Sequence, residues 1–244
     1  MPTLPLSGKS ALVTGGARRI GRAIAFALAQ AGADVVLTYL HSKAEAMQTA
    51  DAIRALGRRA LALPCDVRSE KSVQQTVSTF GRLDLLVNNA AVFEIAPLEC
   101  LTLEQWDAVF KTNTRGPFLV ARETLPLLRT AGGRIVNIGS LGGMHAWATH
   151  AHYSSSKAAL HMLTQTMAKA FAPEVSVNCV APGWIALDGR AGDEAESAAR
   201  FAARTPMRRN GTAEDVAQAV LFFATGPQFI TGQILAVDGG LGLT

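Results

Sequence analysis

Ser10-Ala11-Leu12-Val13-Thr14-Gly15-Gly16-Ala17-Arg18-Arg19-Ile20-Gly21 is the segment that decides the fold of this 244-residue chain. Residues 10–13 form a short apolar run typical of a buried strand, and the glycines predict a tight turn into an alanine-rich helix that continues to about Ala31. Such a turn brings backbone N–H groups and a helix N-terminus close to a bound pyrophosphate, and Arg18 and Arg19 add positive charge. A glycine turn without a ligand is the alternative, because the six-residue dinucleotide fingerprint is not matched letter for letter.

The same alternation of strand and helix continues through the chain. Strands are predicted at about residues 10–14, 34–39, 60–64, 83–88, 133–138, 175–180 and 233–237, with helices near 17–31, 43–56, 69–80, 103–129, 153–171 and 212–224. This pattern predicts one α/β domain over residues 1–244, a Rossmann-like doubly wound fold with a mostly parallel sheet of about seven strands and helices on both faces. Residues 187–210 break the alternation and are predicted to form a mobile substrate lid, with a plain surface helix as the alternative.

Composition narrows the classes of function. The net charge of +4 is mild, and the basic residues are scattered without aromatic interleaving, which argues against nucleic-acid binding. No segment approaches the roughly 18 apolar residues of a membrane span, and the first residues lack a signal-peptide pattern, so a cytoplasmic protein with no membrane partner is expected. Cys65, Cys100 and Cys179 are widely spaced in apolar surroundings, which predicts reduced, buried thiols and no metal site.

Tyr153 and Lys157 are four residues apart in a predicted helix, which places a phenol and an ammonium on one face. A nearby cation favours the ionised phenol and brings its pKa down from ~10 toward the range of an effective general acid. A Tyr and a Lys sharing a solvated helix face are the alternative for the pair taken alone. The other segments of the chain favour catalysis.

Further segments with defined order and spacing accompany this pair: Thr14 to Gly21 in the pattern Thr-Gly-x-x-x-x-x-Gly, Asn88-Asn89-Ala90, Asn113, Ser140 and Pro182-Gly183. Together with Tyr153 and Lys157 they resemble the short-chain dehydrogenase/reductases over essentially the whole chain. The C-terminal runs Ile230-Thr231-Gly232-Gln233 and Val237-Asp238-Gly239-Gly240 are similar to those of 3-oxoacyl-acyl-carrier-protein reductases.

The resemblance implies a catalytic set of Asn113, Ser140, Tyr153 and Lys157. In that set a hydride passes from a nicotinamide to a carbonyl or imine carbon, Tyr153 donates a proton, and Lys157 lowers the phenol pKa and bonds the nicotinamide ribose. Ser140 would hold the substrate oxygen, and Asn113 would bend its helix and order a water that relays protons to Lys157. A turn serine and a helix-surface amide are the alternatives for these two residues.

The cofactor is predicted to be NADP(H) rather than NAD(H). The second strand ends in Thr38-Tyr39-Leu40-His41-Ser42-Lys43, with no carboxylate to bond a ribose 2′-hydroxyl or to repel a 2′-phosphate. Arg18, Arg19 and Ser42, with His41 nearby, would supply charge-assisted hydrogen bonds. The remaining predicted cofactor residues are Gly15, Ile20, Gly21, Asp66, Val67, Asn89, Ala90, Ala91, Tyr153, Lys157, Pro182, Gly183 and Ile185. Asp66-Val67 matches the family position that contacts adenine, with an Asp that caps the following helix as the alternative.

The substrate is predicted to be a carbonyl compound, either a small molecule or one bound to a carrier protein, with Ser140, Phe93, Tyr153 and Trp184 as its contacts. The C-terminal runs and Ser140 favour a 3-oxoacyl thioester. Arg19 and Phe93 instead resemble pteridine reductases, whose Phe at that place stacks on the pterin ring. Ser140 stands where those enzymes carry Asp, and a serine does not ion-pair with a protonated pterin. Phe93 as a core or lid aromatic is the alternative.

A non-catalytic NADPH-binding sensor would keep the same fold, so it remains the alternative outside enzymes. Such a protein has no chemical need for the four catalytic candidates together, which favours an enzyme. The family resemblance also implies a homotetramer, or a homodimer, formed through the helices near residues 103–129 and 153–171 and the C-terminal strand.

Overall fold

The computed structural model describes residues 4–186 and 194–244. Its strands are β1 Ser10–Val13, β2 Asp34–Tyr39, β3 Ala60–Pro64, β4 Leu85–Asn88, β5 Arg134–Ile138, β6 Ser176–Pro182 and β7 Ile234–Val237. Its helices are α1 Arg19–Gln30, α2 Lys43–Ala55, α3 Glu70–Val77, α4 Leu103–Phe110, α5 Gly116–Ala131, α6 Ala151–Ala170, α7 Glu194–Arg204 and α8 Ala213–Thr225.

The strands form one sheet in the order β3-β2-β1-β4-β5-β6-β7, and every neighbouring pair is parallel. The chain progresses outward in one direction from β1 to β3 and then in the other from β4 to β7, so the order reverses between β1 and β4. This is the predicted doubly wound sheet, and it is parallel throughout. Ligands of such sheets bind outside the carboxyl ends of the strands at the reversal point.

Each face of the sheet has its own apolar core. Successive residues of a strand point to opposite faces, so Leu12 packs with the cluster that contains Leu128, whereas Val13 packs with the cluster that contains Ile24 and Val220. Burial on both faces explains why the strands are continuous apolar runs rather than alternating ones.

The helix predicted over residues 103–129 is interrupted. Thr102 and Gln105 form a capping box that starts α4, and a π-helical turn at Lys111–Arg115 separates α4 from α5. Asn113 lies in this turn. The periodicity of apolar residues does not reveal a π turn, because a single wide turn shifts the pattern by only one residue.

The segment predicted as a lid is described only in part. Residues 187–193 lie outside the described residues, and from residue 194 the chain forms α7. The helix of the alternative interpretation is therefore present, and closure over a substrate stays a prediction.

The prediction of three buried thiols was wrong for Cys100. Cys65 and Cys179 are buried, but Cys100 is exposed in a 3₁₀ turn at Leu98–Cys100, and all three thiols are free. Leu98 in the same turn is itself 62% exposed, so apolar neighbours in sequence did not indicate burial.

No group of three or more His, Cys, Asp or Glu side chains within residues 4–186 and 194–244 is placed to hold a metal ion. None of the described helices combines the length and the apolar content that crossing a bilayer requires.

Gly21 provides a test of the packing at the first turn. A Cβ on Gly21 would overlap the carbonyl oxygen of Gly15 and lie 2.6 Å from the amide nitrogen of Asn89. Gly21→Ala should therefore lower the free energy of unfolding by about 1–3 kcal/mol, as expected for overpacking. Gly81→Ala is the matched control, because nothing lies within 4 Å of its added Cβ, and it should cost nothing measurable. Urea unfolding of both variants checks this, and equal losses would contradict the packing argument.

Candidate active site

A cleft of about 600 Å³ lies at the carboxyl ends of the strands around the reversal point. Its wall contains every residue predicted above for the cofactor and the substrate, from Gly15 in the first turn to Ile185 after β6. Asn113 is the one predicted site residue that does not line it. Sequence reasoning missed further lining residues: Ala17, Thr38, Tyr39, Leu40, Cys65, Arg68, Val92, Thr112, Ile138, Gly139 and Trp147. Arg68 could have been found from its place two residues after Asp66, whereas no pattern in the sequence marks Trp147.

The glycine turn is held in place by the end of β4. The Thr14 hydroxyl oxygen accepts hydrogen bonds from the backbone N–H groups of Asn89 (3.0 Å) and Ala90 (3.1 Å). The Asn89 side-chain amide donates to the carbonyl oxygens of Thr14 and Gly15, each at 3.0 Å. Asn89 therefore has a bracing role in addition to any contact with a ligand. Thr14, which the sequence analysis quoted as the start of the Thr-Gly pattern without assigning it a role, supports the turn.

The first turn of α1 lines the cleft through Arg19, Ile20 and Gly21. Arg18 precedes α1 with an extended backbone, and its side chain does not cap the helix. Arg19 has a φ of 52°, in the left-handed region that costs a side-chain-bearing residue ~1 kcal/mol or more. Glycine would adopt this backbone conformation without strain. The arginine at this position instead places a second guanidinium group beside the turn.

Among the described residues that line the cleft, the acidic one is Asp66, just after β3. Arg68 donates two side-chain hydrogen bonds of 2.8 Å to the Asp66 carboxylate, and these bonds hold the pKa of that carboxyl below its usual range. Asp66 does not cap α3, because the Ser69 hydroxyl accepts the hydrogen bond from the Ser72 N–H instead (3.3 Å). The negative charge of Asp66 is thus paired with Arg68.

Tyr153 and Lys157 lie one turn apart on α6, on the side that faces the ends of β5 and β6. The Lys157 ammonium is buried and donates a 2.8 Å hydrogen bond to the carbonyl oxygen of Ile138, and it lies 5.8 Å from the centre of the Tyr153 ring. Burial lowers the pKa of Lys157 to about 8. Burial also raises the pKa of Tyr153, more than the neighbouring Ser140 hydroxyl lowers it. The predicted lowering of the phenol pKa by Lys157 is therefore not seen in this structure, where burial raises the pKa and the opposing contribution comes from Ser140.

Ser140 lies two residues after the end of β5 and precedes a 3₁₀ turn at Leu141–Gly143. Its hydroxyl oxygen accepts a 3.0 Å hydrogen bond from the Gly142 N–H. The serine is therefore the turn residue of the alternative interpretation, but it also lines the cleft beside Tyr153. The bond to Gly142 uses a lone pair of the oxygen, so the hydroxyl keeps its proton as a donor, and its hydrogen bond with Tyr153 lowers the pKa of the phenol.

Asn113 lies behind the cleft and is 1% exposed. Its carboxamide accepts from the Val92 N–H (2.8 Å) and donates to the Val92 carbonyl oxygen (2.9 Å) and the Ser156 hydroxyl (3.1 Å). The surface-amide alternative is therefore wrong. In this structure Asn113 ties the π turn to the segment after β4 and to α6, and its role in a proton relay stays a prediction.

The part of the cleft around Tyr153 is rich in aromatic side chains. Phe93 meets Tyr153 edge to face with ring centres 4.8 Å apart, and Trp184 stacks on Phe201 of α7 at 4.3 Å. Trp147 lines the same end and contacts His150, whose pKa is lowered by burial and then by the charge of His152. Phe93 is 44% exposed, so it is a cleft aromatic and not the core residue of the alternative interpretation.

Comparison with known proteins establishes the family. The sequence family described as Enoyl-(Acyl carrier protein) reductase matches residues 15–242. A 3-oxoacyl-[acyl-carrier-protein] reductase of Synechocystis sp. is 40% identical over 97% of this chain and 98% of its own length, and hydroxynaphthalene reductase arp2 of Aspergillus fumigatus is 35% identical over 96% and 92%. A blue fluorescent protein from a metagenomic library, solved in complex with NADPH, superposes with a TM-score of 0.91 at 36% identity over 97% of this chain and 99% of that one. The chain belongs to the short-chain dehydrogenase/reductases, a family of oxidoreductases.

Proposed function

We propose that this protein is an NADPH-dependent carbonyl reductase. One observation carries the proposal: Ser140, Tyr153 and Lys157 line the same cleft as an uncapped helix N-terminus and two arginines. A phosphate-binding end and a proton-donating end in one cleft are what hydride transfer to a carbonyl group requires. A non-catalytic sensor, the alternative interpretation, would need only the phosphate-binding end.

The residues at the cleft fit a nicotinamide cofactor. Because Gly21 has no Cβ, the turn after β1 can close tightly, and its backbone N–H groups lie beside Arg18 and Arg19, where the phosphates of the cofactor would bind. Bound NADPH would supply a hydride to the carbonyl carbon. Tyr153 donates its phenol proton to the carbonyl oxygen as negative charge develops there, and the Ser140 hydroxyl donates a hydrogen bond to the same oxygen. Lys157, charged below its pKa of about 8, stabilises the tyrosinate that remains.

The preference for NADP(H) rests on charge at the adenosine end. The residues Leu40, His41 and Ser42 at the end of β2 line the cleft and include no carboxylate. Asp66, the acid among the described residues that line the cleft, is paired with Arg68. Arg18 and Arg19 line the same cleft, so the described lining contains cations and no unpaired carboxylate to oppose a 2′-phosphate.

Arg19 allows that preference to be tested without adding backbone strain. Arg19→Gly keeps the left-handed backbone in the residue type that adopts it most readily and removes the guanidinium. Loss of a charge-assisted bond should weaken NADPH binding about tenfold and leave NADH binding within about twofold. Fluorescence titration with each cofactor measures this, and Arg58→Gly, an arginine outside the cleft, is the control. An equal loss for both cofactors would contradict a role at the 2′-phosphate.

A 3-oxoacyl thioester is the substrate class that the sequence favours, and the similarity to the Synechocystis reductase supports it. The aromatic end of the cleft favours a second candidate, a flat ring ketone. Phe93, Trp147 and Trp184 offer ring faces or edges to a planar substrate, and the similarity to the hydroxynaphthalene reductase supports this class. A protonated pterin is disfavoured, because the described residues at this end of the cleft include no carboxylate.

Tyr153→Phe tests the mechanism itself. The variant keeps the ring and its contact with Phe93 but has no proton to donate. It should bind NADPH as the wild type does and lose a factor of about 10² or more in turnover, the scale of general-acid catalysis. NADPH oxidation at 340 nm with a reactive ketone measures the rate, and unchanged turnover would defeat the proposal.

The same assay separates the substrate classes when acetoacetyl thioester, 2-tetralone, its saturated analogue 2-decalone and dihydrobiopterin are offered in parallel. Preference for the thioester supports the first class. Preference for tetralone over decalone supports stacking on the aromatic end, because the two ketones share a carbon skeleton and differ in the π-system. Binding of NADPH with turnover of none of them would favour the sensor.

We also propose that the protein assembles through the helical face formed by α4, α5 and α6. A groove of about 550 Å³ on this face contains Phe118 and Met162, which are 42% and 63% exposed, with Asp107 and Lys111 at its edge. A second copy related by a twofold axis would cover this apolar surface and bring edge charges of opposite sign together.

Light scattering should give a dimer or tetramer at micromolar concentration, and Met162→Glu should shift the protein toward the monomer. A wild-type monomer would contradict the proposal.

A further inference from the structure

His161 is a buried imidazole one helical turn beyond Lys157 on α6, and the reaction proposed above does not use it. The spacing of four between Tyr153, Lys157 and His161 places all three on one face of the helix. His161 is 6% exposed. Its position therefore continues the row of catalytic candidates into the interior, toward the ends of β5 and β6.

The imidazole ring is wedged between the two ends of the segment that contains Ser140. A Cβ on Gly139 would overlap the His161 Nε2 and lie 2.7 Å from the Cys179 sulfur. A Cβ on Gly143 would lie 2.7 Å from the His161 Cε1 and 2.8 Å from the backbone carbon of Lys157. Real Cβ atoms do not approach other atoms so closely, so glycine at residues 139 and 143 makes the space that the ring occupies.

His161 also contacts the backbone of Ser140 directly. The Ser140 N–H donates to the His161 Nε2 over 3.4 Å, a long hydrogen bond that leaves this nitrogen as the acceptor. A neutral imidazole with a bare Nε2 must carry its proton on Nδ1. The geometry therefore specifies one tautomer of the ring.

The surroundings keep the imidazole neutral. Burial, followed by the charge of Lys157, lowers the pKa of His161 to about 4. The other titratable group that faces the ring is Cys179 on β6, whose pKa burial raises to about 12, so that it stays an uncharged thiol. His161 is thus an acceptor at any pH at which the protein would work.

We propose that His161 is a positioning residue, which holds Ser140 in place relative to Tyr153 by accepting the Ser140 N–H and filling the space between Gly139 and Gly143. The expected effect on turnover rests on the proposed reductase function. The contact between the His161 ring and Ser140 does not depend on that function, so an experiment can disprove either proposal without disproving the other. Holding the serine backbone fixes where its hydroxyl meets the substrate oxygen, which matters because misplacement by ~1 Å costs an enzyme up to about 10² in rate.

The first test reads the tautomer in the wild-type protein. Long-range ¹H–¹⁵N spectra distinguish the two imidazole tautomers, and the spectrum of His161→Gln assigns the signal among the five histidines. We expect His161 to carry its proton on Nδ1 at pH 7 and to remain neutral down to about pH 5. A proton on Nε2, or a charged ring at pH 7, would overturn the proposal whether or not a substrate is known.

The second test compares two variants in the reductase assay. His161→Gln places an amide oxygen near the position of Nε2 and should keep kcat within about threefold, whereas His161→Leu removes the acceptor and should lower kcat about tenfold. Both should bind NADPH as the wild type does, since neither touches the phosphate end of the cleft. Equal kcat for the two variants, or a loss confined to NADPH binding, would overturn the positioning role.

The third test addresses the wedge. Gly139→Ala should lower kcat more than tenfold in the wild-type background, where its methyl group collides with the ring, and by a clearly smaller factor in His161→Ala, where the ring is gone. Additive losses would mean that Gly139 and His161 do not share the space. If Gly139→Ala does not fold but Gly139→Ala with His161→Ala does, that rescue supports the wedge equally.

Discussion

Every strand of the sheet runs in the same direction, and this constraint assembles the candidate active site. A parallel connection must cross a whole face of the sheet, so at least one helix connects each strand to the next and both faces become buried. The carboxyl ends of the strands then meet along one edge together with the N-termini of the helices that follow them. The glycine turn after β1, Asn89 after β4 and Ser140 after β5 are distant in sequence but adjacent along this edge.

The polar groups at this edge are hydrogen-bonded to one another. Thr14 and Asn89 tie the first turn to the end of β4, and Asn113 ties the π turn to the same segment and to α6. Lys157 is bonded to the end of β5. Each bond satisfies a group that would be costly to bury alone, so the packing that fixes the fold also orients the candidate catalytic side chains.

Burial determines the protonation states at the site. Removing Lys157 from water lowers its pKa to about 8, and the same effect raises that of Tyr153. The spacing of four between Tyr153 and Lys157 predicts only an attraction between the two side chains, and hence a lower phenol pKa. Spacing along a helix does not reveal how deeply its face is buried, and the loss of hydration is the larger contribution here.

The sequence by itself determined the class of fold and most of the cleft. Apolar runs at strand length, separated by helical patterns, allow few arrangements other than a doubly wound sheet, and such a sheet places its binding site at the ends of its strands. Only the tertiary structure decided that Asp66 is paired with Arg68 and not a cap, that Cys100 is exposed, and that Asn113 lies in a π turn behind the cleft. It also decided that Trp147 joins Phe93 at one end of the cleft and that His161 fills the space beside Gly139. These features depend on contacts between segments far apart in the chain. A local sequence pattern does not predict which distant side chain packs into a given space.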